Sequence, residues 1–299
     1  MLYYYQANNF GDDLNPWLWP RLAPELVEDR NDRLFVGIGT ILNERIPAAP
    51  RKFVFGAGWD GERPVRTGPE WRIHGVRGPL TAAGLGLPAG TALSDPGLLV
   101  RRFVKRPPGA GGGRVAFMPH HCSVGAVDWR PLCQARGLGY VDPERPVDEV
   151  LPSIAGCRVL LAEAMHGAIV ADALGVPWIA VRISGRINEF KWRDWCSSLG
   201  LSCRPVRLRP LHARLPKGMA GVRRRWKRAL AETPLGKEKW KQLPERASTA
   251  DEIERGMDSL AELPRSREPQ LSERSRLDEA EARQLEQLER LRREWREMP

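Results

Sequence analysis

The chain has 299 residues and a mass of 33.6 kDa, enough for two domains or one large one. Its apolar fraction of 42% excludes wholesale disorder, and no apolar run reaches the roughly 18 residues that a membrane span needs. The first residues lack the basic and apolar regions of a secretory signal, and the five scattered cysteines form no CxxC pair. We therefore expect a cytoplasmic protein with reduced thiols and no disulfide framework.

The net charge of +10 is concentrated in one segment. Residues 201–250 contain 14 Lys or Arg and 3 Asp or Glu, and the rest of the chain is nearly balanced. Such a segment favours phosphate-rich partners such as membrane head groups, lipid-linked phosphates or nucleic acid. A solubilising tail is an equally simple interpretation.

The first 105 residues alternate apolar runs with Gly- and Pro-rich turns. Residues 34–39 and 52–58 each predict a buried strand that runs into a glycine loop. Residues 40–44 and 79–85 predict short helices. Strands that alternate with helices predict an α/β fold with a parallel sheet.

Residues 106–113, rich in Pro and Gly, predict a linker without regular structure. A second α/β series follows, with strands at 114–118, 158–162 and 177–181 and helices at 147–154 and 167–174. We therefore expect an N-terminal domain at 1–105 and a second domain at 114–205 of similar design. Residues 206–299 read as a basic segment, with a helical stretch at 223–228, a breaker-rich segment at 264–269 and an exposed amphipathic helix at 278–297.

A polar loop follows the first predicted strand. Asn9 and Gly11 precede Asp12 and Asp13, a pattern typical of a helix N-terminus, where capping and the helix dipole favour acidic groups. The residues are either a cap alone or part of a ligand site at the carboxyl edge of the sheet, where open α/β sheets bind ligands.

Two glycine pairs follow buried strands and permit close approach of a ligand to the backbone: Gly37 with Gly39, and Gly56 with Gly58. Neither completes a dinucleotide-binding fingerprint, because Leu42 replaces the third glycine in the first pair and residues 62–64 do not start a helix after the second. The alternative interpretation of both glycine pairs is that they form tight turns after the strands.

Two further residues stand at predicted strand ends. Arg77 precedes Gly-Pro and offers a planar fork suited to carboxylate or phosphate, although a single arginine is usually a surface residue. His166 follows a strand and opens a helix, a position suited to acid–base chemistry or to a core histidine. Glu163 precedes it and is placed to orient the imidazole or a substrate hydroxyl.

Six motifs, in this order along the chain, resemble those of the polysaccharide pyruvyl transferase family. They lie at residues 9–14, 37–42, 55–58, 76–81, 95–96 and 165–171. The resemblance, which covers roughly residues 1–200, implies two Rossmann-like halves facing each other across a cleft, as in GT-B glycosyltransferases. The C-terminal helical extension is expected from the sequence pattern alone. The resemblance also implies that phosphoenolpyruvate donates pyruvate to a sugar diol, with formation of a cyclic ketal.

The resemblance maps the family's catalytic histidine onto His166 and its cleft arginine onto Arg77. Protonation of the donor's methylene carbon suits His166, and Asp12, Asp13 or Glu163 are candidates to accept a hydroxyl proton. Asn9 and the glycines Gly11, Gly37, Gly39, Gly56 and Gly58 are the candidate substrate-binding positions. Many members carry Arg two residues before the histidine, where this chain has Ala164; the candidate replacements are Arg158, Arg182 and Arg186.

No step of this reaction needs a metal or another cofactor, and His120 and His121 are adjacent without a clearly placed third ligand. The partners that the resemblance implies are phosphoenolpyruvate and a sugar acceptor, which we expect to be lipid-linked. The charge of the basic segment predicts peripheral contact with the membrane. Nucleic acid is not expected, because that segment lacks a recognisable motif.

Two other functions fit the same residues. A GT-B glycosyltransferase that uses a nucleotide sugar would have the same fold, so fold alone does not decide. A non-catalytic partner in polysaccharide assembly would explain the missing arginine at Ala164.

Overall fold

The short apolar runs of the sequence form the strands of two parallel sheets. The computed structural model describes residues 1–28, 30, 32–63, 65–184, 187–213 and 247–298. In the first sheet the four strands are hydrogen-bonded in chain order, each parallel to the next. These strands are β1 (Leu2–Tyr3), β2 (Arg33–Val36), β3 (Arg51–Ala57) and β4 (Trp71–Val76).

The second sheet has five strands in the order β6-β5-β7-β8-β9, again all parallel. Its strands are β5 (Val115–Met118), β6 (Gly139–Tyr140), β7 (Val159–Ala162), β8 (Trp178–Arg182) and β9 (Val206–Arg207). Every residue of β7 is buried, as expected for a parallel strand that is covered on both faces. The predicted α/β class with parallel sheets is confirmed.

Eight α-helices are described around these sheets. Their bounds are α1 (Phe10–Leu22), α2 (Pro79–Gly84), α3 (Trp129–Gln134), α4 (Val147–Ala155), α5 (Met165–Ala173), α6 (Glu189–Ser198), α7 (Ala250–Ser266) and α8 (Arg274–Glu297). Helix α5 also packs against a 3₁₀ segment, Pro96–Arg102, whose first turn is capped by Asp95. The segment therefore connects the end of the first sheet to a helix of the second.

The largest hydrophobic cluster contains buried side chains of α1, α5 and α8. Leu14 of α1 and Ile169 of α5 belong to it, so apolar packing is continuous between the two sheets. The start of α1 is also tied to the second half of the chain, because the Phe10 N–H donates to the Pro143 carbonyl at 2.8 Å.

The two C-terminal helices cover different sheets. Met257, Leu260 and Leu263 of α7 belong to the cluster on the second sheet. The ring of Trp295 in α8 lies 4.9 Å from the ring of Phe53 in β3. The helix expected at residues 278–297 is therefore present, but the expectation that it is exposed was wrong, because its leucine and tryptophan stripe covers the first sheet.

Most other predicted elements of the two α/β series are confirmed within one or two residues. The exception is the helix expected at residues 40–44, where the chain forms bends and turns. The backbone there pairs with the end of β3 instead: the Leu42 N–H donates to Gly58 O at 3.2 Å, and the Gly58 N–H to Gly39 O at 2.8 Å. These long-range bonds replace the local ones that a helix needs.

The Pro- and Gly-rich segment 106–113 contains one short 3₁₀ turn, Ala110–Gly112. Helix α7 ends at Ser266, within the breaker-rich segment 264–269. The basic stretch 223–228 and most of the basic segment lie outside the described residues. In the part of the chain that is described, no helix combines the length and apolar character needed to cross a membrane.

Candidate active site

A cavity of about 200 Å³ opens where the carboxyl ends of strands from both sheets meet. Its walls come from the segments that follow β1, β2, β5, β7 and β8. This is the edge at which open parallel sheets place their ligand sites. The polar side chains that line it include Asn9, Asp12, His120, His121, His166 and Lys191.

His166 lies in the first turn of α5 and faces a buried carboxylate. Its Nε2 is 3.5 Å from Oδ2 of Asp95, and the Asp95 side chain is fully buried. Burial alone would raise the pKa of Asp95, but the nearby His166 and Arg77 and the Gly97 N–H hold that pKa below its usual value. The buried Asp95 carboxylate therefore faces the imidazole of His166 at the start of α5.

Gly11 lets the imidazole sit against α1. A Cβ at this position would overlap Nδ1 and Cγ of His166. Gly11, predicted as a substrate-binding position, is thus the point at which the backbone of α1 closely contacts the side chain of His166. Any larger residue there would displace His166.

Of the two predicted acids in α1, the structure brings one into the cavity. Asp12 lines it, and Oδ2 of Asp12 accepts a hydrogen bond from Nδ2 of Asn9 at 2.8 Å. Asp13 does not line it, and burial together with the neighbouring Asp12 raises the pKa of Asp13. Asn9 is the N-cap residue of α1 by its backbone, but its side chain makes no capping bond.

The glycine pairs serve mainly to admit other side chains. A Cβ at Gly37 would lie 2.5 Å from Oδ1 of Asn15, and one at Gly58 would overlap the guanidinium of Arg77. Gly56 has a φ of +77°, and a Cβ there would overlap the ring of Pro96. Gly39, in contrast, lines the cavity. Of these four glycines, Gly39 alone lines the cavity, and contact with a ligand stays a prediction for all four.

Arg77 is fully buried and does not line the cavity. Its Nε donates to Oδ2 of Asp194 at 3.2 Å, and its two terminal nitrogens donate to Oγ1 of Thr40 at 2.9 Å and to the Trp59 carbonyl at 3.1 Å. All three nitrogens are therefore engaged within the protein. Direct contact between Arg77 and a ligand stays a prediction, and the three hydrogen bonds within the protein do not support it.

Glu163 is also fully buried and lies behind the cavity wall. One carboxylate oxygen accepts from the His120 N–H at 3.0 Å, and the other accepts from the Ile183 and Ser184 N–H groups at 3.0 and 2.6 Å. The carboxylate thus holds the loops after β5 and β8 in place. Its hydrogen bonds among the described residues go to backbone N–H groups, so the roles expected for Glu163, orienting the imidazole or accepting a hydroxyl proton, stay predictions.

Lys191 of α6 also lines the cavity, a position that the sequence analysis did not predict. Burial and the nearby Arg77 lower the pKa of Lys191, opposed by the carboxylates of Asp60 and Asp12. Among the described residues, no carboxylate lies within ion-pair distance of its ammonium group. A cation that is partly desolvated and without an ion-pair partner is ready to receive an anionic ligand.

The candidate replacements for the arginine missing at Ala164 do not occupy the cavity. Arg158 is exposed on another surface, and Arg182 forms an ion pair with Glu189. Arg186 lies outside the described residues. Ala164 and Lys191 both line the cavity, so a lysine of α6 lies in the same cavity as the position where many members have arginine.

At the rim of the cavity a thiol lies between two imidazoles. Sγ of Cys122 is 3.1 Å from Nε2 of His121, and hydrogen bonds with His120 and His121 lower the pKa of Cys122 to about 5. Hydrogen bonding with the Cys122 thiol in turn raises the pKa of His121. The three residues form a cluster whose ring nitrogens and sulfur all lie within 4.8 Å of one another.

A histidine beside a buried carboxylate, together with a lysine that has no ion-pair partner among the described residues, is an arrangement suited to an α/β enzyme that acts on an anionic substrate. The chain is 41% identical over 235 residues to the succinoglycan biosynthesis protein ExoV of Rhizobium meliloti; the match covers 74% of this chain and 71% of that protein. No family model and no solved structure matches the chain. The chain belongs to the polysaccharide pyruvyl transferase family and is an enzyme of that class.

Proposed function

We propose that this enzyme transfers pyruvate from phosphoenolpyruvate to two hydroxyls of a sugar, forming a cyclic ketal and releasing phosphate. The observation that carries the proposal is the pairing of His166 with buried Asp95 in a cavity that Lys191, without an ion-pair partner among the described residues, also lines. This combination offers a proton donor beside a site for the donor's negative charges.

Lys191 binds the phosphate or carboxylate of the donor. The N-terminus of α5, a nine-residue helix that begins at Met165, adds backbone N–H groups and a positive dipole end to the same wall. Arg77, which is hydrogen-bonded to Thr40, adds its positive charge to the electrostatic field of the cavity without touching the ligand. The positive charge of the cavity therefore comes from α6 and α5 and not from an arginine at position 164.

His166 delivers the first proton. From its position beside the Asp95 carboxylate it donates a proton to the methylene carbon of phosphoenolpyruvate, which makes the neighbouring carbon electrophilic. A sugar hydroxyl adds to that carbon and loses its proton. The carbon–oxygen bond to phosphate then breaks, and the second hydroxyl adds with loss of its proton, which closes the ketal.

Asp12 is the cavity residue best placed to accept a hydroxyl proton. Its carboxylate lines the cavity and is oriented by the hydrogen bond from Asn9. Asp13 and Glu163 remain candidates from the sequence, but neither lines the cavity. The acceptor hydroxyls would therefore approach between α1 and α5.

The acceptor in this proposal is a saccharide of an exopolysaccharide pathway. The name of the Rhizobium relative places that protein in succinoglycan biosynthesis. Two Rossmann-like halves of the GT-B kind, with the cavity between them, suit a large acceptor that enters from the open side. Two observations support this arrangement. The chain forms two parallel sheets, and residues that follow strands of each sheet line the cavity.

We further propose that the enzyme works in the cytoplasm, at the inner face of the membrane, on a lipid-linked acceptor. The support is the charge of residues 201–250, with 14 basic and 3 acidic side chains. Each basic residue near an anionic leaflet contributes about 1 kcal/mol. Binding to anionic vesicles at low salt that disappears at about 0.5 M salt supports the proposal, and no binding at low salt contradicts it.

Calorimetric titration separates the proposed donor from that of a nucleotide-sugar glycosyltransferase. Phosphoenolpyruvate and a UDP-sugar are titrated into the same preparation. Saturable binding of phosphoenolpyruvate alone supports pyruvyl transfer. Binding of the UDP-sugar alone identifies a glycosyltransferase, and binding of neither favours a non-catalytic partner.

A further inference from the structure

Three consecutive side chains at the cavity rim offer donors that transition metals prefer. His120 and His121 each contribute a ring nitrogen and Cys122 contributes its sulfur, all within 4.8 Å of one another. The rings of the two histidines are 4.2 Å apart between centroids. Metal-bound nitrogen and sulfur atoms lie about 2.0–2.3 Å from a zinc ion, so this spacing closes around one ion with small side-chain movements.

The backbone of this turn is held by buried partners. The His120 N–H donates to Glu163, and the Ser123 N–H donates to the His120 carbonyl at 2.7 Å. Nε1 of buried Trp129 donates to the Ser123 carbonyl at 2.8 Å. The fold therefore fixes the chain on both sides of the cluster, as a preorganised ligand set requires.

We propose that His120, His121 and Cys122 form a binding site for a borderline-soft divalent cation such as Zn²⁺. Two imidazoles and a thiolate are the ligand set of zinc and cobalt, whereas magnesium and calcium prefer oxygen ligands. Cys122 is the third ligand that the adjacent histidines lacked in the sequence pattern. Coordination replaces the long 3.3 Å hydrogen bond between the Cys122 N–H and Nδ1 of His120.

Three protein ligands leave a fourth coordination position open. His120 and His121 line the cavity and Cys122 is exposed, so the fourth ligand would come from the cavity or from solvent. An anionic oxygen of a bound substrate, or water, fits there. The proton transfers assigned to His166 and Asp12 do not require an ion at this site.

Cobalt provides the direct test, because thiolate-bound Co²⁺ has a charge-transfer band in the near ultraviolet. Tag-free protein is titrated with Co²⁺ and the band is followed in wild type, Cys122→Ser and Cys203→Ser. Cys203 is a partly buried thiol away from the cluster and is the matched control. We expect a band that saturates at one equivalent in wild type and in Cys203→Ser and is lost in Cys122→Ser.

Alkylation supplies a second measurement that does not depend on the fold of a variant. Zn²⁺ at one equivalent should slow the labelling of Cys122 by iodoacetamide in the wild-type protein at least tenfold. Absence of the cobalt band, an unchanged band in Cys122→Ser, or equal labelling rates with and without Zn²⁺ would each overturn the proposal. Fast labelling that Zn²⁺ does not slow would identify a free thiolate instead.

Discussion

Arg77 and Asp194, 117 positions apart in the chain, form an ion pair in which both side chains are fully buried. Asp194 also accepts from the Thr81 hydroxyl at 2.6 Å and from the Thr81 N–H at 2.9 Å. The carboxylate of α6 is thus bonded to the start of α2 and to the end of β4. This pair holds α6, and with it Lys191, against the first half of the chain.

Replacing Arg77 with Ala is expected to destabilise the protein by about 3–5 kcal/mol, because it leaves a buried carboxylate without its countercharge. Arg77→Lys should also destabilise, since an ammonium group cannot reproduce the three separate contacts of the guanidinium. Urea unfolding measures both. The control is Arg102→Ala, which removes a partly exposed ion pair with Glu281 and should cost about 0–1 kcal/mol.

A stable Arg77→Ala protein that has lost affinity for phosphoenolpyruvate would contradict this account. It would assign Arg77 to the ligand directly.

Replacing Asp95 with Asn should lower the free energy of unfolding at neutral pH and should lower it less in acid. The folded-state pKa of Asp95 lies below that of the unfolded chain, about 3.9, so the carboxylate stabilises the fold above that pH. This contribution is lost as the pH falls through the folded-state value. The free energies of unfolding of wild type and Asp95→Asn should therefore differ by a constant amount above about pH 5 and converge as the pH falls below about 4.

The groups that face Asp95 are His166, Arg77 and the Gly97 N–H. A difference in stability that stays constant from pH 6 to pH 3 would show that the carboxylate charge does not stabilise the fold.

Gly11→Ala tests the close contact between α1 and the catalytic candidate. Alanine is the better helix former by about 1 kcal/mol, but its Cβ would overlap His166. We expect a folded protein whose turnover falls by about 100-fold, the effect of a displacement near 1 Å in an active site. Gly90→Ala is the matched control, because a Cβ there meets no atom within 4 Å.

Normal turnover in Gly11→Ala would mean that the position of His166 against α1 is not required.

Lys191→Ala should weaken the binding of phosphoenolpyruvate by more than about tenfold, because a charge-assisted hydrogen bond contributes about 1.5–3 kcal/mol. Lys105→Ala removes an exposed lysine whose ammonium group donates to the Arg101 carbonyl, and should leave affinity unchanged. Calorimetry on the two variants makes the comparison. Equal affinities would exclude Lys191 as the anion anchor.

The sequence predicted those parts of the site that lie directly at strand ends. Gly39 and His166 follow β2 and β7, and parallel strands bring such residues to one edge whatever the details of packing. Asp12, in the first turn of the helix after β1, reaches the same edge. The α/β class followed from the same pattern.

The remaining features depend on contacts between distant segments. Arg77 has the local sequence of a ligand-binding arginine, but its partner Asp194 lies in a helix of the other half. Lys191 carries no local motif, and its place in the cavity is set by where α6 packs. Residues 40–44 have helical character by pattern, yet the ends of β3 supply stronger hydrogen-bond partners.

The most direct test of the proposed function is transfer itself. The protein is incubated with isotopically labelled phosphoenolpyruvate and a panel of lipid-linked and synthetic glycosides, and phosphate release is compared with label found in the saccharide. We expect one phosphate per ketal formed, and turnover at least about 100-fold lower in a folded His166→Ala variant. Near-full turnover in His166→Ala, or glycosyl transfer from a UDP-sugar in place of pyruvyl transfer, would contradict the account.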